Sequence, residues 1–353
     1  MIHVGIDLHS RNMTLVAIND NGKLLVEEKL TNTPANLGRF FGRFTEPVQA
    51  VVECTSYWYW VADWCDANEV PLTLAHAKML KAISYAKVKT DSVDARTLAE
   101  LLRVELIPEA HQCRREQRDL RELTRGRLRM IERRSGLQSS LWQLAAKYNV
   151  LVQDVGWRYL DRLGEFLHHQ LPGVAWAEAQ LLLDQIRLNQ KQIGRLEKAI
   201  EEQVEFTEEV ERLKVLPGFG VVCAWTVVAE VGDITRFPSA KQFVSYCRLV
   251  PGSKDSGGKH RHRSRNKDGN RYLRIAFNQA AIIAYRDYPV VKEFYKKVTR
   301  RSGKHVARTV VGKELAKIVW HMLSKDQAYK GFKGRMTRIT TQTYWPQPIS
   351  PRA

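Results

Sequence analysis

The first 30 residues contain three apolar runs separated by short polar breaks, and these runs constrain the start of the fold more than any other feature. Residues 2–18 hold two of the runs, and Asn21-Gly22 separates the second from the third, residues 23–30. An Asn-Gly pair between alternating apolar runs is the strongest short hairpin signal. The sequence therefore predicts two or three antiparallel strands, with Asp7 near the end of the first.

Helix and strand patterns alternate along the next part of the chain. A helix is expected over residues 34–44, a buried strand over 48–52, a helix over 57–68 and a short strand over 71–75, and another helix follows Asp91. Strands that alternate with helices are typical of an α/β domain.

Four acidic residues stand at the ends of these elements. Asp7 and Glu53 close apolar strands, and Asp91 and Asp94 are three residues apart at a helix start. Singly, each has an ordinary interpretation as a helix cap, a partner of the helix dipole or a solvated strand end. As a set they favour a site for Mg²⁺ or Mn²⁺, since clustered carboxylates repel unless a hard cation holds them.

Positive charge is concentrated in the last third of the chain. The formal net charge is +18, and residues 249–353 contain 24 lysines and arginines against 6 acids. Such a field attracts an anionic polymer, which predicts a nucleic-acid partner.

The cysteines give no metal or disulfide signal. All five are scattered without a C-x-x-C pair, so reduced thiols in the cytoplasm are the expectation. We also expect no signal peptide and no membrane association, because the longest run that is apolar apart from one threonine, residues 221–229, is too short to cross a bilayer.

A long arginine-rich helix is predicted from about residue 109. Its apolar stripe is discontinuous, and residues 176–216 have heptad-like spacing, so the two segments are expected to form a helical hairpin or coiled coil. A solvated charged face and phosphate contact are equally good interpretations of its arginines. The candidate phosphate contacts are Arg114, Arg115, Arg118, Arg121 and Arg125.

The turn Pro217-Gly218-Phe219-Gly220 lies between two predicted helices. It is similar to a helix-hairpin-helix element, whose turn amides bind DNA phosphate. Gly218 and Gly220 are therefore candidate nucleic-acid contacts, although two glycines in such a turn are also common in protein cores.

Ser256 lies in a glycine-bounded basic stretch that begins after Pro251-Gly252. Glycines allow a close backbone approach and cations neutralise phosphate oxygens, so a hydroxyl here suits phosphate chemistry. A flexible surface loop is the alternative. The neighbouring candidate contacts are Lys254, Lys259, Arg261, Arg263, Arg265, Arg271 and Arg274.

Taken together, the motifs resemble a known family over some 320 residues. VGIDLHSRN, the strand end VVECT and the box KTDSVDA are similar to the RuvC-like domain of DEDD transposases, the bridge-RNA-guided serine recombinases of insertion sequences. LPGFG, DITRFPSAKQFVSY, GNRYLR and RSGKHVARTVVGKELAKIVWHML are similar to that family's second domain. Two positions depart from its pattern: Ser56 replaces a glycine, and Arg248 replaces the glycine of Tyr-x-Gly-Leu.

The resemblance implies the domains, the site residues and the partners. It implies a RuvC-like domain (RNase H fold) over 1–108 and a transposase domain over 213–328. The residue patterns predict the helical coiled-coil region over 109–212 and a flexible tail without periodicity over 329–353. Asp7, Glu53, Asp91 and Asp94 would hold Mg²⁺ and Ser256 would be the nucleophile, with both brought together between subunits of a dimer or tetramer. Target and donor DNA and a guide RNA are the implied partners.

Three other functions remain open from the residues alone. A metal-only nuclease or Holliday-junction resolvase would use water as its nucleophile, leaving Ser256 without a chemical role. A non-enzymatic nucleic-acid binder would not need the acids. A structural coiled-coil protein would have little reason for the C-terminal charge.

Overall fold

The computed structural model of the chain describes residues 1–83, 90–203, 208–256, 259–263 and 268–332. The chain divides into two compact units, residues 1–115 and 116–353. The first boundary lies seven residues beyond the one expected from the sequence, and the finer division into four parts stays a prediction. In these described ranges, no helix is long and apolar enough to cross a membrane.

A five-stranded mixed sheet forms the centre of the first unit, with the strand order β3-β2-β1-β4-β5. β1 pairs antiparallel with β2 and parallel with β4, and Gly22 has a φ of +76° at the predicted β2–β3 turn. The predicted N-terminal strands are therefore confirmed. The strands are β1 (Ile2–Leu8), β2 (Asn12–Asn19), β3 (Leu24–Thr31), β4 (Val48–Glu53) and β5 (Leu72–Ala75).

Four helices complete this unit and confirm the predicted α/β architecture. They are α1 (Pro34–Phe41), α2 (Tyr59–Ala67), α3 (Ala77–Ile83) and α4 (Asp91–Arg103). Only α3 was not expected from the sequence. Leu37 and Phe40 of α1 and Val61 of α2 are fully buried against the sheet.

Helix α4 lies against β1, and a glycine makes this close approach possible. A Cβ atom on Gly5 would clash with the carbonyl oxygen of Ala95 and the amide nitrogen of Ala99. The hydroxyl of Thr90 accepts from the amide of Val93 at 3.2 Å and caps the helix. The first turn of α4 is thereby held beside the strand that carries Asp7.

The second unit is mostly helical, as predicted. Its helices are α5 (Arg115–Ala146), α6 (Leu160–Gln170), α7 (Gly173–Gln203), α8 (Glu208–Lys214), α9 (Val221–Val231), α10 (Ala240–Tyr246), α11 (Arg271–Asp287), α12 (Pro289–Ser302) and α13 (Lys304–Ser324). One apolar core joins α8 to α13 and includes the fully buried Phe243, Phe277 and Leu315.

The two long helices contact each other within this unit. Arg127 of α5 donates to Glu197 of α7 at 2.7 Å, and Leu141 and Leu183 share a buried cluster with α6. The pairing of the arginine-rich segment with the heptad-like one therefore occurs, whereas a coiled-coil geometry stays a prediction.

The stretch around Ser256 differs from the expected loop. Residues Gly252–Ser256 form β6, which pairs antiparallel with β7 (Lys259–Arg263). Both strands are polar at nearly every position, so they lack the apolar alternation by which a strand is recognised. The hairpin was missed for that reason.

Candidate active site

Carboxylates from β1 and α4 meet at one edge of the mixed sheet. Nε2 of His9 lies 3.1 Å from Oδ2 of Asp7 and 3.4 Å from Oδ1 of Asp91. One ligand atom from each of these three residues lies within 4.8 Å of the others. Two carboxylate oxygens and an imidazole nitrogen at this spacing form a donor set that suits a divalent cation.

The electrostatics of this cluster favour an additional cation. Burial raises the pKa of Asp7, and the nearby carboxylates of Asp91 and Asp94 raise it further, although His9 opposes both effects. The Asp7 side chain is 14% exposed, so water screens the repulsion only partly. A bound divalent ion would stabilise the ionised carboxylates, and the residues present therefore fit a divalent metal.

Asp94 and Glu53 lie near this cluster but outside the 4.8 Å group. Asp94 is in the same first helical turn as Asp91 and acts on the charge of Asp7. Ile6 pairs with Val52 in the parallel β1–β4 ladder, so Asp7 and Glu53 follow at the ends of adjacent strands. The structure thus brings Asp7 and Asp91 together directly, with Asp94 on the same helix as Asp91 and Glu53 at the end of the adjacent strand β4.

His9 and Lys29 were not among the residues predicted from the sequence. His9 follows Asp7 by two residues, and Nζ of Lys29 donates to Oδ2 of Asp91 at 2.7 Å, which lowers the pKa of Asp91. Asp7 pairs with Thr14, and Thr14 pairs with Lys29, so the three residues form one row across the strands. The strand register, which the sequence does not specify, was needed to find Lys29.

Ser256 is the last residue of β6, where it pairs with Lys259. Lys254 pairs with Arg261, and Gly252 pairs with Arg263. The backbone register of this ladder therefore brings four cationic positions of the sequence close to the strand end at Ser256. Arg265 lies outside the described residues.

Three of the arginines predicted to contact phosphate are corrected. Arg118 and Arg121 are buried, and Arg121 donates to the carbonyl oxygens of Ala229 and Glu230 at 2.8 and 2.7 Å. Arg125 makes a bidentate ion pair with the carboxylate of Glu230. The guanidinium groups of Arg121 and Arg125 bind the end of α9, 105 residues or more away in the chain, so counting local acids left these two wrongly unmatched. Arg114 and Arg115 are exposed.

The two glycines of the predicted helix-hairpin-helix turn have different surroundings. Gly218 is buried with a φ of +78°, and a Cβ atom there would clash with the carbonyl oxygen of Ala280 on α11. Its role in phosphate binding is therefore corrected to close packing. Gly220 is exposed at the N-cap of α9 with open space around it, and its phosphate contact stays a prediction.

The two candidate arginines of α11 lie in its first turn. Arg271 is exposed, and its Nη2 donates to Oε1 of Glu132 at 2.9 Å. Arg274 is half-buried. Arg271 remains accessible to a nucleic-acid backbone because its ion pair is exposed and easily exchanged.

Comparisons with known proteins agree with this combination of an acidic edge and a basic second unit. An IS110-type DEDD transposase domain matches residues 4–149, which contain all four predicted acids. The domain described as "Transposase IS116/IS110/IS902 family" matches residues 210–296, which contain Ser256.

Curated relatives extend the similarity over nearly the whole chain. A "Probable family 20 transposase" of Pseudomonas aeruginosa is 23% identical and covers 93% of this chain and 98% of its own length. The "Transposase for insertion sequence element IS1111A" of Coxiella burnetii is 24% identical over 69% of this chain and 68% of its own length. A "Pilin gene-inverting protein" of Moraxella bovis is 30% identical over 33% of this chain and 38% of its own length.

The fold, the acidic edge and these matches define an enzyme that cleaves and transfers DNA strands. Within that class, residues 4–149 and 210–296 match the two domains of IS110/IS116-type DEDD transposases.

Proposed function

We propose that this protein is an RNA-guided recombinase of an insertion sequence, which cuts and rejoins DNA through a phosphoserine intermediate. The observation that carries the proposal is the meeting of Asp7, His9 and Asp91 at the sheet edge, in a chain whose second matched domain contains Ser256. The acids alone would suit hydrolysis. The serine adds a route that conserves the phosphodiester bond energy for rejoining.

In the proposed reaction, the Ser256 hydroxyl attacks a backbone phosphorus. A serine–phosphorus ester forms, one phosphorus–sugar oxygen bond breaks, and the proton lost by serine is balanced by protonation of the leaving sugar oxygen to a hydroxyl. Attack by a sugar hydroxyl of the second strand then reverses these changes and frees Ser256. No net hydrolysis occurs, so no external energy source is required.

The four acids would hold Mg²⁺, which when bound polarises the phosphate and offsets its charge in the transition state. Asp7 and Asp91 would supply oxygen ligands from β1 and α4, with Glu53 and Asp94 as the further carboxylates. Lys254, Lys259, Arg261 and Arg263 would neutralise phosphate oxygens next to Ser256. The residues Arg114, Arg115, Gly220, Arg271 and Arg274 would contact the nucleic-acid backbone.

The guide RNA and the oligomer belong to the same proposal. The cations of the second unit suit backbone contact, which leaves sequence recognition to base pairing. A dimer or tetramer would allow two DNA strands to be cut and exchanged in one assembly. Sequencing the RNA that co-purifies with the protein and its element DNA tests this part, and recovery of no discrete RNA would contradict it.

Trapping of a protein–DNA adduct tests the chemistry. The wild-type protein should form a denaturant-resistant adduct with a cleavable element end, and Ser256→Ala should form none. A water-using nuclease is the second candidate, because the acidic edge suffices for it. Continued strand cleavage by Ser256→Ala without any adduct would establish that alternative.

A further inference from the structure

Glu230 is a fully buried carboxylate that the proposed chemistry does not use. Nε and Nη2 of Arg125 donate to its two oxygens at 2.7 and 2.8 Å, and Nδ2 of Asn270 donates to Oε2 at 2.7 Å. A buried carboxylate persists only when it is paired and hydrogen-bonded, and here both oxygens have donors. The carboxylate of Glu230 therefore fixes the positions of the Arg125 and Asn270 side chains.

Asn270 connects this carboxylate to the start of α11. Its Oδ1 accepts from the amides of Tyr272 and Leu273 at 2.8 and 3.1 Å, which caps the helix. The side-chain nitrogen Nδ2 of Asn270 donates to Glu230, while its side-chain oxygen caps α11. Both ends of the side-chain amide are therefore fixed by hydrogen bonds. The guanidinium of Arg125 also lies 4.7 Å from the ring centre of Tyr272.

The same junction fixes both ends of the segment that contains the Ser256 hairpin. The amide of Asn270 donates to the carbonyl oxygen of Tyr246 at 2.6 Å, and Nε of Arg248 donates to the carbonyl oxygen of Gly269 at 2.6 Å. Gly269 has a φ of +97°, and a Cβ atom there would clash with the Tyr246 carbonyl. The chain thus leaves α10 and returns to α11 at one point, with β6 and β7 between.

Backbone strain at this point indicates that its geometry is tightly specified. Arg248 has a φ of 54°, in the left-handed region that favours glycine. It stands where the resembled family has a glycine, and its hydrogen bond to Gly269 offsets the conformational cost. A residue keeps a strained backbone conformation only where contacts with its neighbours are strong enough to hold it there.

We infer that Glu230 and Asn270 are positioning residues that hold the Ser256 hairpin in its reactive place. An isolated two-stranded hairpin is marginally stable in water, so its placement depends on its anchored ends. Misplacement of a reacting group by about 1 Å can reduce a rate on the order of a hundred-fold. This inference rests on the proposed role of Ser256 as nucleophile.

The substitution Asn270→Asp separates helix capping from positioning. An aspartate retains the oxygen that caps α11, but it replaces the donor facing Glu230 with a second carboxylate. We expect hydrogen exchange of the β6 and β7 amides to accelerate by about tenfold or more, with smaller changes in α9 and α13. Adduct formation at saturating DNA should fall on the order of a hundred-fold while DNA affinity is retained.

The double variant Glu230→Gln with Asn270→Asp should restore much of both properties, because a donor again faces an acceptor. The matched control is Glu211→Gln, the same carboxylate-to-amide change in an exposed pair with Lys214, and it should change neither property. All assays use the full chain. Each variant is measured at the same number of degrees below its own melting temperature, so that differences in overall stability do not affect the comparison.

Two results would overturn the inference. One is unchanged hairpin exchange in Asn270→Asp, and the other is exchange that rises equally throughout the second unit, which would indicate general destabilisation only. If the wild-type protein forms no Ser256 adduct, the proposed function fails, and the exchange data still decide whether Glu230 and Asn270 position the hairpin.

Discussion

Acidic side chains have opposite surroundings in the two units. At the sheet edge of the first unit, burial and neighbouring carboxylates raise the pKa of Asp7, and His9 opposes this only in part. In the second unit, Glu230 is more deeply buried, yet guanidinium and amide donors bind both of its oxygens. We propose that a cation from outside completes the first arrangement, whereas the second is complete and maintains the architecture.

The largest expected effect is on catalysis, from Asp7→Asn. The amide keeps the shape of the side chain but removes its charge, so strand cleavage should fall on the order of a thousand-fold. The fold should persist, because the substitution relieves repulsion at the cluster. Cleavage assays and thermal unfolding measure the two effects, with Asp63→Asn on α2 as the control. A near wild-type cleavage rate in Asp7→Asn would contradict the assigned site.

Removal of the buried carboxylate should have the largest effect on stability. Glu230→Ala leaves Arg125 without its buried partner, and we expect a loss of about 3–5 kcal/mol in the free energy of unfolding. Urea unfolding measures it, and Glu211→Ala in the exposed pair should change stability by less than about 1 kcal/mol. Equal losses in the two variants would mean that the buried ion pair is unimportant.

The two glycines of the α8–α9 turn offer a smaller test within the second unit. Gly218→Ala should cost about 1–3 kcal/mol, because a methyl group clashes with α11 and the backbone φ is positive. Gly220→Ala has open space and should cost less than about 1 kcal/mol. The reverse order in urea unfolding would refute the packing role assigned to Gly218.

Substitution of exposed arginines should weaken DNA binding, whereas substitution of buried arginines should reduce stability. Arg114→Ala and Arg115→Ala should each reduce the slope of log affinity against log salt by about 1 for DNA binding. Their stability should stay within about 0.5 kcal/mol of wild type, whereas Arg121→Ala should destabilise the protein by more. An unchanged salt slope in both exposed variants would exclude these two residues from the nucleic-acid interface.

Features that depend on neighbouring residues were predicted well from the sequence. The β2–β3 turn follows from Asn21-Gly22, and the acids were visible because Asp7 and Glu53 stand near the ends of apolar strands and Asp91 and Asp94 stand at a helix start. Contacts between distant segments were not visible. The pairing of Arg125 with Glu230 joins residues 105 apart, and Lys29 reaches Asp91 only through the strand register.

Prediction also failed where a pattern has two physical causes. An arginine-rich helix has the same composition whether it binds phosphate or the end of another helix, so Arg121 was assigned wrongly. A glycine pair in a turn is equally ambiguous, since Gly218 serves close packing. The sequence of the β6–β7 hairpin is polar at nearly every position, and such strands have no hydrophobic signature.

Thermal unfolding of the DNA-free chain in increasing Mn²⁺ tests the contrast between the two units most directly. A cation bound to the folded state raises the melting temperature by mass action. The wild-type protein and Glu230→Gln should therefore show the same rise with Mn²⁺, although from different starting temperatures, and Asp7→Asn should show none. An equal rise in wild type and Asp7→Asn would contradict a cation site at the sheet edge.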